Sequence, residues 1–171
     1  MSNHADLEQV VGLIAQSISL QLAQRADDAL LCLNQALQLA PDFPAALAKR
    51  GTVLQSLSRH REALADFDRC LTVKSDLSHI VVLRDAVLQC LLASLDDDLR
   101  QNPLQADKLH ERGLLMLRLR RKSEALENFR QVLAIDAYHA GALNSMGNVL
   151  LLLNRHEQAL ACYDKILALN P

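Results

Sequence analysis

Along the chain, apolar residues recur at helical spacing and are interrupted by short polar links. Leu47, Val53, Leu54 and Leu57 share one face, the polar stretch Ser58-Arg59-His60 follows, and Ala63, Leu64, Phe67, Cys70 and Leu71 make a second apolar face. Spacings of three and four residues mark amphipathic helices rather than strands. The same helix, link and helix return around Arg120-Arg121-Lys122 and Asn154-Arg155-His156. Each link leads into a first turn containing Glu or Gln, which suits the positive end of a helix dipole.

The pattern has a period. Ala29-Leu30 recurs as Ala63-Leu64, and Ala125-Leu126 as Ala159-Leu160, at one shared interval that Gly113 and Gly147 also keep. The steps from Ala63 to Ala125 and from Gly51 to Gly113 are equal to each other and fall six short of two periods, so two independent markers place a six-residue deletion in the middle repeat. A fixed interval in this range marks a stack of supersecondary units, each unable to bury its apolar face alone.

These positions resemble the tetratricopeptide repeat, whose signature is a bulky residue, a Gly four on, a downstream Ala, an aromatic four later and a closing Pro. Leu47, Gly51, Leu54, Ala63 and Phe67 fill the places in one repeat; Leu109, Gly113, Met116, Ala125 and Phe129 in another; Leu143, Gly147, Leu150, Ala159, Tyr163 and Pro171 in the last. The first repeat departs further, with Leu13, Ser17, Leu20, Ala29, Leu33 and Pro41, and the middle one keeps Val81, Leu88 and Pro103 but has Asp85 in the Gly place. The expectation is an all-α fold, an α-solenoid of antiparallel helix pairs wound as a right-handed superhelix. A polar lead-in over 1–9 precedes five repeats at about 10–43, 44–77, 78–105, 106–139 and 140–171. Gly51, Gly113 and Gly147, with the small Ala63, Ala125 and Ala159, are expected where the two helices of a hairpin cross, and Phe67, Phe129 and Tyr163 between successive hairpins.

The resemblance implies that first helices line a concave face which holds a peptide or partner helix. The family's inward places fall on Val11, Ile14 and Ile18; Ala48, Thr52 and Gln55; Val82, Ala86 and Gln89; His110, Leu114 and Leu117; Asn144, Asn148 and Leu151. Asn144 and Asn148 are the strongest polar candidates, because an amide can pair with both the donor and the acceptor of an extended backbone. Of the Lys, Arg and Asn set by which related repeats clamp a chaperone's terminal carboxylate, only Asn148 has a counterpart here. It is also the one match to the Asn ladder of repeats attached to protein O-linked sugar transferases.

Composition narrows the function further. Half the residues are hydrophobic, yet there are three Phe, two Tyr and no Trp, and the net charge is -2. No basic field draws the chain to nucleic acid or an anionic membrane, no apolar run reaches membrane-spanning length, and the first nine residues lack the layout of a secretory signal. The basic run from Arg118 to Lys122 reads as a solvated turn. Asp96, Asp97 and Asp98 read as the start of a short helix, where carboxylates meet the positive dipole end. The four cysteines, at 32, 70, 90 and 162, match no zinc or redox spacing and are expected as buried free thiols in a reducing compartment. No phosphate loop, nucleophile elbow or histidine pair at ligand spacing occurs. The reading is therefore a cytoplasmic protein-interaction scaffold, not an enzyme, with no cofactor, no metal and no catalytic residue. The alternative is the non-catalytic recognition arm of a larger enzyme such as a glycosyltransferase; an assembly factor for envelope proteins is a third reading.

Two features of the chain stand outside the repeat. In the middle repeat the first helix is apolar nearly all round, while the second is shortened to about Asp96 to Asn102. That predicts either self-shielding or packing as a homodimer through Ile80, Val81, Leu91 and Leu92. No polar capping helix follows the last repeat, which predicts either a fragment cut at a repeat boundary or a last helix covered by a partner.

Overall fold

The computed structural model describes residues 4–169, so Pro171, the closing proline of the last repeat, lies outside the described residues. Among these residues the chain is all helical: α1 (His4–Leu22), α2 (Ala26–Leu39), α3 (Pro44–Ser56), α4 (His60–Val73), α5 (Ser78–Gln101), α6 (Ala106–Arg118), α7 (Lys122–Ile135), α8 (Ala140–Leu152) and α9 (His156–Leu169). The helices fall into two compact units, Met1–Cys90 and Leu91–Pro171, divided within α5. In the first, α1 pairs with α2 and α3 with α4, while α2 packs on α3 and the first helices α1 and α3 touch. The second repeats this plan with α6 and α7, α8 and α9, α7 on α8, and α6 beside α8.

The hairpin turns share one construction. Gln24, Ser58, Arg120 and Asn154 each take a positive φ, between 58 and 61°. The following residue is an arginine whose amide reaches back to the preceding helix: Arg25 to the Leu20 carbonyl, Arg59 to Leu54, Arg121 to Met116 and Arg155 to Leu150, all at 2.9 Å. This is the Schellman closure, in which one left-handed residue stops a helix and satisfies its last carbonyls. The arginine side chain then pairs with an acid three residues on, as in Arg25–Asp28, Arg59–Glu62 and Arg121–Glu124. The last turn has Gln158 in the acid's place.

Size complementarity sets the packing inside each hairpin. A Cβ on Gly51 would meet the Phe67 ring at 2.6 Å, one on Gly113 the Phe129 ring at 2.5 Å, and one on Gly147 the Tyr163 ring at 2.7 Å. The aromatic residues therefore lie over the glycine of their own hairpin, not only between hairpins as expected. In the first hairpin Ser17 and Leu33 take these places, and both are fully buried. A shorter Leu leaves room for a Cβ and hydroxyl, and the Ser17 hydroxyl donates to the Ile14 carbonyl at 2.7 Å.

Three expectations are corrected. The polar lead-in is not separate: α1 begins at His4, supported by the His4–Glu8 pair one turn on at 3.3 Å. The middle repeat is not a shortened hairpin, because α5 runs unbroken for 24 residues. The deletion took with it the left-handed turn, and the stretch Ala86 to Asp98 holds no Gly or Pro to stop a helix. As one piece, α5 is long and apolar enough to cross a membrane by length and composition alone, which the expected break concealed. Asp96, Asp97 and Asp98 therefore do not start a helix. They lie inside α5 and pair with Arg112, Arg100 and Lys108 at 2.7 Å each.

Part of the apolar surround of α5 is buried within the chain. Ile80 and Leu92 are buried, at 1% and 5% exposure, so neither is available to a homodimer surface. Val81 and Leu91 are half-buried, and the large apolar side chain that α5 leaves open is Val82.

Candidate functional site: the first-helix faces

Each unit places two first helices side by side, and the inward positions divide accordingly. In the first unit α1 carries Val11, Ile14 and Ile18, and the adjacent α3 carries Ala48, Thr52 and Gln55. Val11 and Ile18 are exposed and Ile14 is half-buried, while Val10 and Ser17 on the neighbouring face of α1 are fully buried. A helix with this spacing has one face in the core and a second, apolar face open. Thr52 and Gln55 are half-buried, and the Thr52 hydroxyl is already used, donating to the Ala48 carbonyl one turn back at 2.9 Å. Gln89 is exposed on α5, with Val82 on the same helix.

In the second unit α6 and α8 carry the remaining candidates. His110 is half-buried; Leu114, Asn144, Asn148 and Leu151 are exposed. The two helices are tied together at this face, since His110 Nε2 lies 3.0 Å from Ser145 Oγ. The His110 ring also stands 5.6 Å from that of Phe129 and 5.1 Å from that of His139, centre to centre. Burial first, and then the neighbouring His139, pushes the His110 imidazole below its ordinary range.

Asn148 is oriented by a residue outside the predicted set. The Tyr163 hydroxyl donates to Asn148 Oδ1 at 2.7 Å, which uses one of the two acceptor sites of the amide oxygen and leaves the other, with the NH2 group, for a partner. Asn148 is thus held in place by Tyr163 while it keeps a donor and an acceptor site. Ser145, His139 and Tyr163 are the members of this cluster that sequence reasoning missed. Tyr163 was legible as the last of the aromatic series that follows each glycine at a constant interval, and its hydroxyl is what distinguishes it from Phe67 and Phe129.

Two arginines of the first helices are held in clamps. Arg50 on α3 donates to Asp66 on α4 through Nε at 2.7 Å and through a terminal nitrogen at 2.6 Å, and to Asn34 on α2 at 2.9 Å. Arg112 on α6 donates to Asp96 on α5 at 2.7 Å and to Asn128 on α7 at 3.0 Å. Both clamps bridge three helices, and Asp66 and Asn128 are buried at 4% exposure. In each, one arginine meets one carboxylate and one amide, but the carboxylate is on the hairpin's own second helix in the first unit and on the preceding helix in the second. A cleft of about 280 Å³ lined by Asn34, Arg50, Arg59, Glu62 and Asp66 holds cations and anions that are already paired. Among the described residues no group of His, Cys, Asp and Glu is placed to hold a metal ion. Three of the four cysteines are buried, and Cys90 is exposed, against the expectation of four buried thiols.

No curated protein sequence matches the chain. Solved structures similar to it include YrrB, described as a TPR protein with an unusual peptide-binding site, at 22% identity over 93% of this chain and 85% of that one, with a TM-score of 0.46. Another is TTC0263, a thermophilic TPR protein of Thermus thermophilus, at 22% identity over 95% and 92%, TM-score 0.48. A third is MamA from Desulfovibrio magneticus RS-1, at 16% identity over 99% and 97%, TM-score 0.47. The sequence profile described as tetratricopeptide repeat matches residues 140–171. That segment contains α8, the Gly147–Tyr163 contact and the Asn154 turn, and the same construction recurs with Gly113, Phe129 and Arg120 and, in the first unit, with Gly51, Phe67 and Ser58. Residues 140–171 thus match a tetratricopeptide repeat, and the hairpins of α3 with α4 and of α6 with α7 share its glycine–aromatic contact and its left-handed turn.

Proposed function

We propose that the chain is a protein-interaction scaffold that holds a polypeptide segment against the faces of its first helices and performs no chemistry of its own. The observation that carries this reading is the character of those faces. Val11 at 56% exposure and Ile18 at 37% stay open in the first unit, and in the second Leu114 at 39% and Leu151 at 43% stay open on helices that also expose Asn144 and Asn148. Apolar side chains give a partner contact area, and a few placed amides give it register, which is the usual composition of a recognition surface. The named lining residues carry no fixed charge, so the segment they suit is apolar and uncharged at its contacts.

The test is selection of peptides from a random display library on the full chain, followed by titration of the enriched sequences. Val11→Asp with Ile18→Asp, and separately Asn144→Ala with Asn148→Ala, are expected to weaken binding at least tenfold, about 1.4 kcal/mol. A control, Leu31→Asp on the exposed side of α2, is expected to leave it unchanged. Peptides that bind equally well to both face variants would remove the first-helix faces from the function.

A further inference from the structure

The start of α8 differs from the starts of α2, α3, α4, α6 and α7. His139 precedes the helix, and its Nδ1 accepts the Ala142 amide hydrogen at 3.0 Å. Capping of this kind is normally done by Ser, Thr, Asn or Asp, none of which changes charge near neutral pH. The starts of α2, α3, α4, α6 and α7 have no side-chain cap at all. A ring nitrogen can accept a hydrogen bond only while it carries no proton. In the capping tautomer the proton sits on Nε2, which faces the Asp107 carboxylate at 3.4 Å.

The geometry around His139 sets what a proton there would do. A proton added to His139 must go to Nδ1, which removes the cap acceptor and sets a positive charge at the positive end of the α8 dipole. His110 stands 5.1 Å away, and two imidazolium rings at that distance repel. His110 is itself held below the ordinary imidazole range by burial and then by His139. Among the groups that face the pair, the Gly141 backbone hydrogen-bonds His110 and favours its charged form. Asp107 on α6 has a fully exposed side chain and attracts weakly through water, α7 presents the uncharged Phe129 ring, and α8 presents the Ser145 hydroxyl.

We propose that His139 and His110 form an acid-sensitive latch on α8. At neutral pH the latch caps the helix and ties it to α6. Acidification that protonates His139 withdraws the acceptor from Ala142 and sets a positive charge beside the His110 ring, 5.1 Å away, releasing the first turn of α8. Asn144 follows one turn later, so the polar end of the second unit's face changes with the latch. That last consequence rests on the reading of the face as a docking surface; the latch does not.

The experiment uses amide hydrogen exchange and ring-proton NMR on the full chain, without any ligand. The protection factor of the Ala142 amide is expected to fall at least tenfold between pH 7.5 and 5.0, while that of Leu47 in α3 is unchanged. The Ala142 shift should titrate with the same midpoint as the His139 ring. His139→Asn, which caps without titrating, should keep Ala142 protected at pH 5.0. An Ala142 amide indifferent to pH in the wild type, or one that titrates apart from the His139 ring, would overturn the proposal, as would equal acid loss in His139→Asn. None of these outcomes bears on whether the face binds a peptide.

Discussion

The Phe129 ring lies over Gly113 so closely that a single added Cβ would come within 2.5 Å of it. Neither residue can be enlarged without moving the other, and the ring is fully buried with nowhere to go. Gly113→Ala is therefore expected to destabilise the chain by about 1–3 kcal/mol, the usual range for an overpacked core. The Ser17 and Leu33 pair shows the compensating solution already in use. Adding Phe129→Leu to Gly113→Ala should recover part of the loss, which a double-mutant cycle in urea would register as a favourable coupling. Strict additivity would mean that the two residues do not constrain each other.

The arginine clamps make a second test. Asp66→Asn leaves Arg50 between two amides and removes a buried, doubly bonded carboxylate, at an expected cost of about 1–2 kcal/mol. Combining it with Asn34→Asp moves the carboxylate to the preceding helix, the arrangement that Arg112 already has. The double variant is expected to regain most of the lost stability in urea unfolding, whereas Asn34→Asp alone should give little gain.

The left-handed turn residues are a reservoir of strain. Gln24, Ser58 and Arg120 carry a Cβ at a backbone conformation that disfavours it by about 1 kcal/mol, while Asn154 is a residue type that tolerates it. Arg120→Gly is expected to raise the melting temperature, and Asn154→Gly to change it less. A loss of stability in Arg120→Gly would mean that the arginine side chain contributes more than its backbone costs.

Thiol chemistry offers a simple readout of burial. Cys90 is exposed, and Cys70 and Cys162 are held above the ordinary thiol range mainly by burial. A thiol-reactive dye is expected to label one cysteine quickly in the native protein and all four only in denaturant. Fast labelling that survives Cys90→Ser would contradict this burial.

Stability should also depend on pH through His110. Because its folded-state affinity for a proton is below that of the unfolded chain, the unfolded state binds more protons as pH falls through about 6.5. Stability is then full above that value and declines below it, until the folded ring also protonates. His110→Gln should flatten this part of the curve measured by urea titration.

Much of this was legible in the amino-acid sequence. The positions of Gly51, Gly113 and Gly147 against Ala63, Ala125 and Ala159 locate the hairpins, since the packing that demands small residues recurs with the fold. The α5 helix was not legible in the same way. A deletion removes residues without saying which structural event they served, and here it was the stop signal. The clamps were hidden because equivalent places hold different residue types, Asn34 against Asp96 and Asp66 against Asn128. Only the equal spacing on either side of each arginine is common to both. The face residues were found by their register, but the direction in which Asn148 points depends on the Tyr163 hydroxyl, a detail that periodicity does not carry.

The exchanged partners of Arg50 and Arg112 also give the hairpins an order. If the α3 and α4 hairpin were moved to follow α5, Arg50 would meet two carboxylates, Asp96 and its own Asp66. Moved to follow α7, it would find Arg130 at the place of Asn34, setting two guanidinium groups together. Hairpins alike in backbone are thus not interchangeable in sequence, and a permuted array would be recognised as wrong by its charges before its apolar contacts were tested.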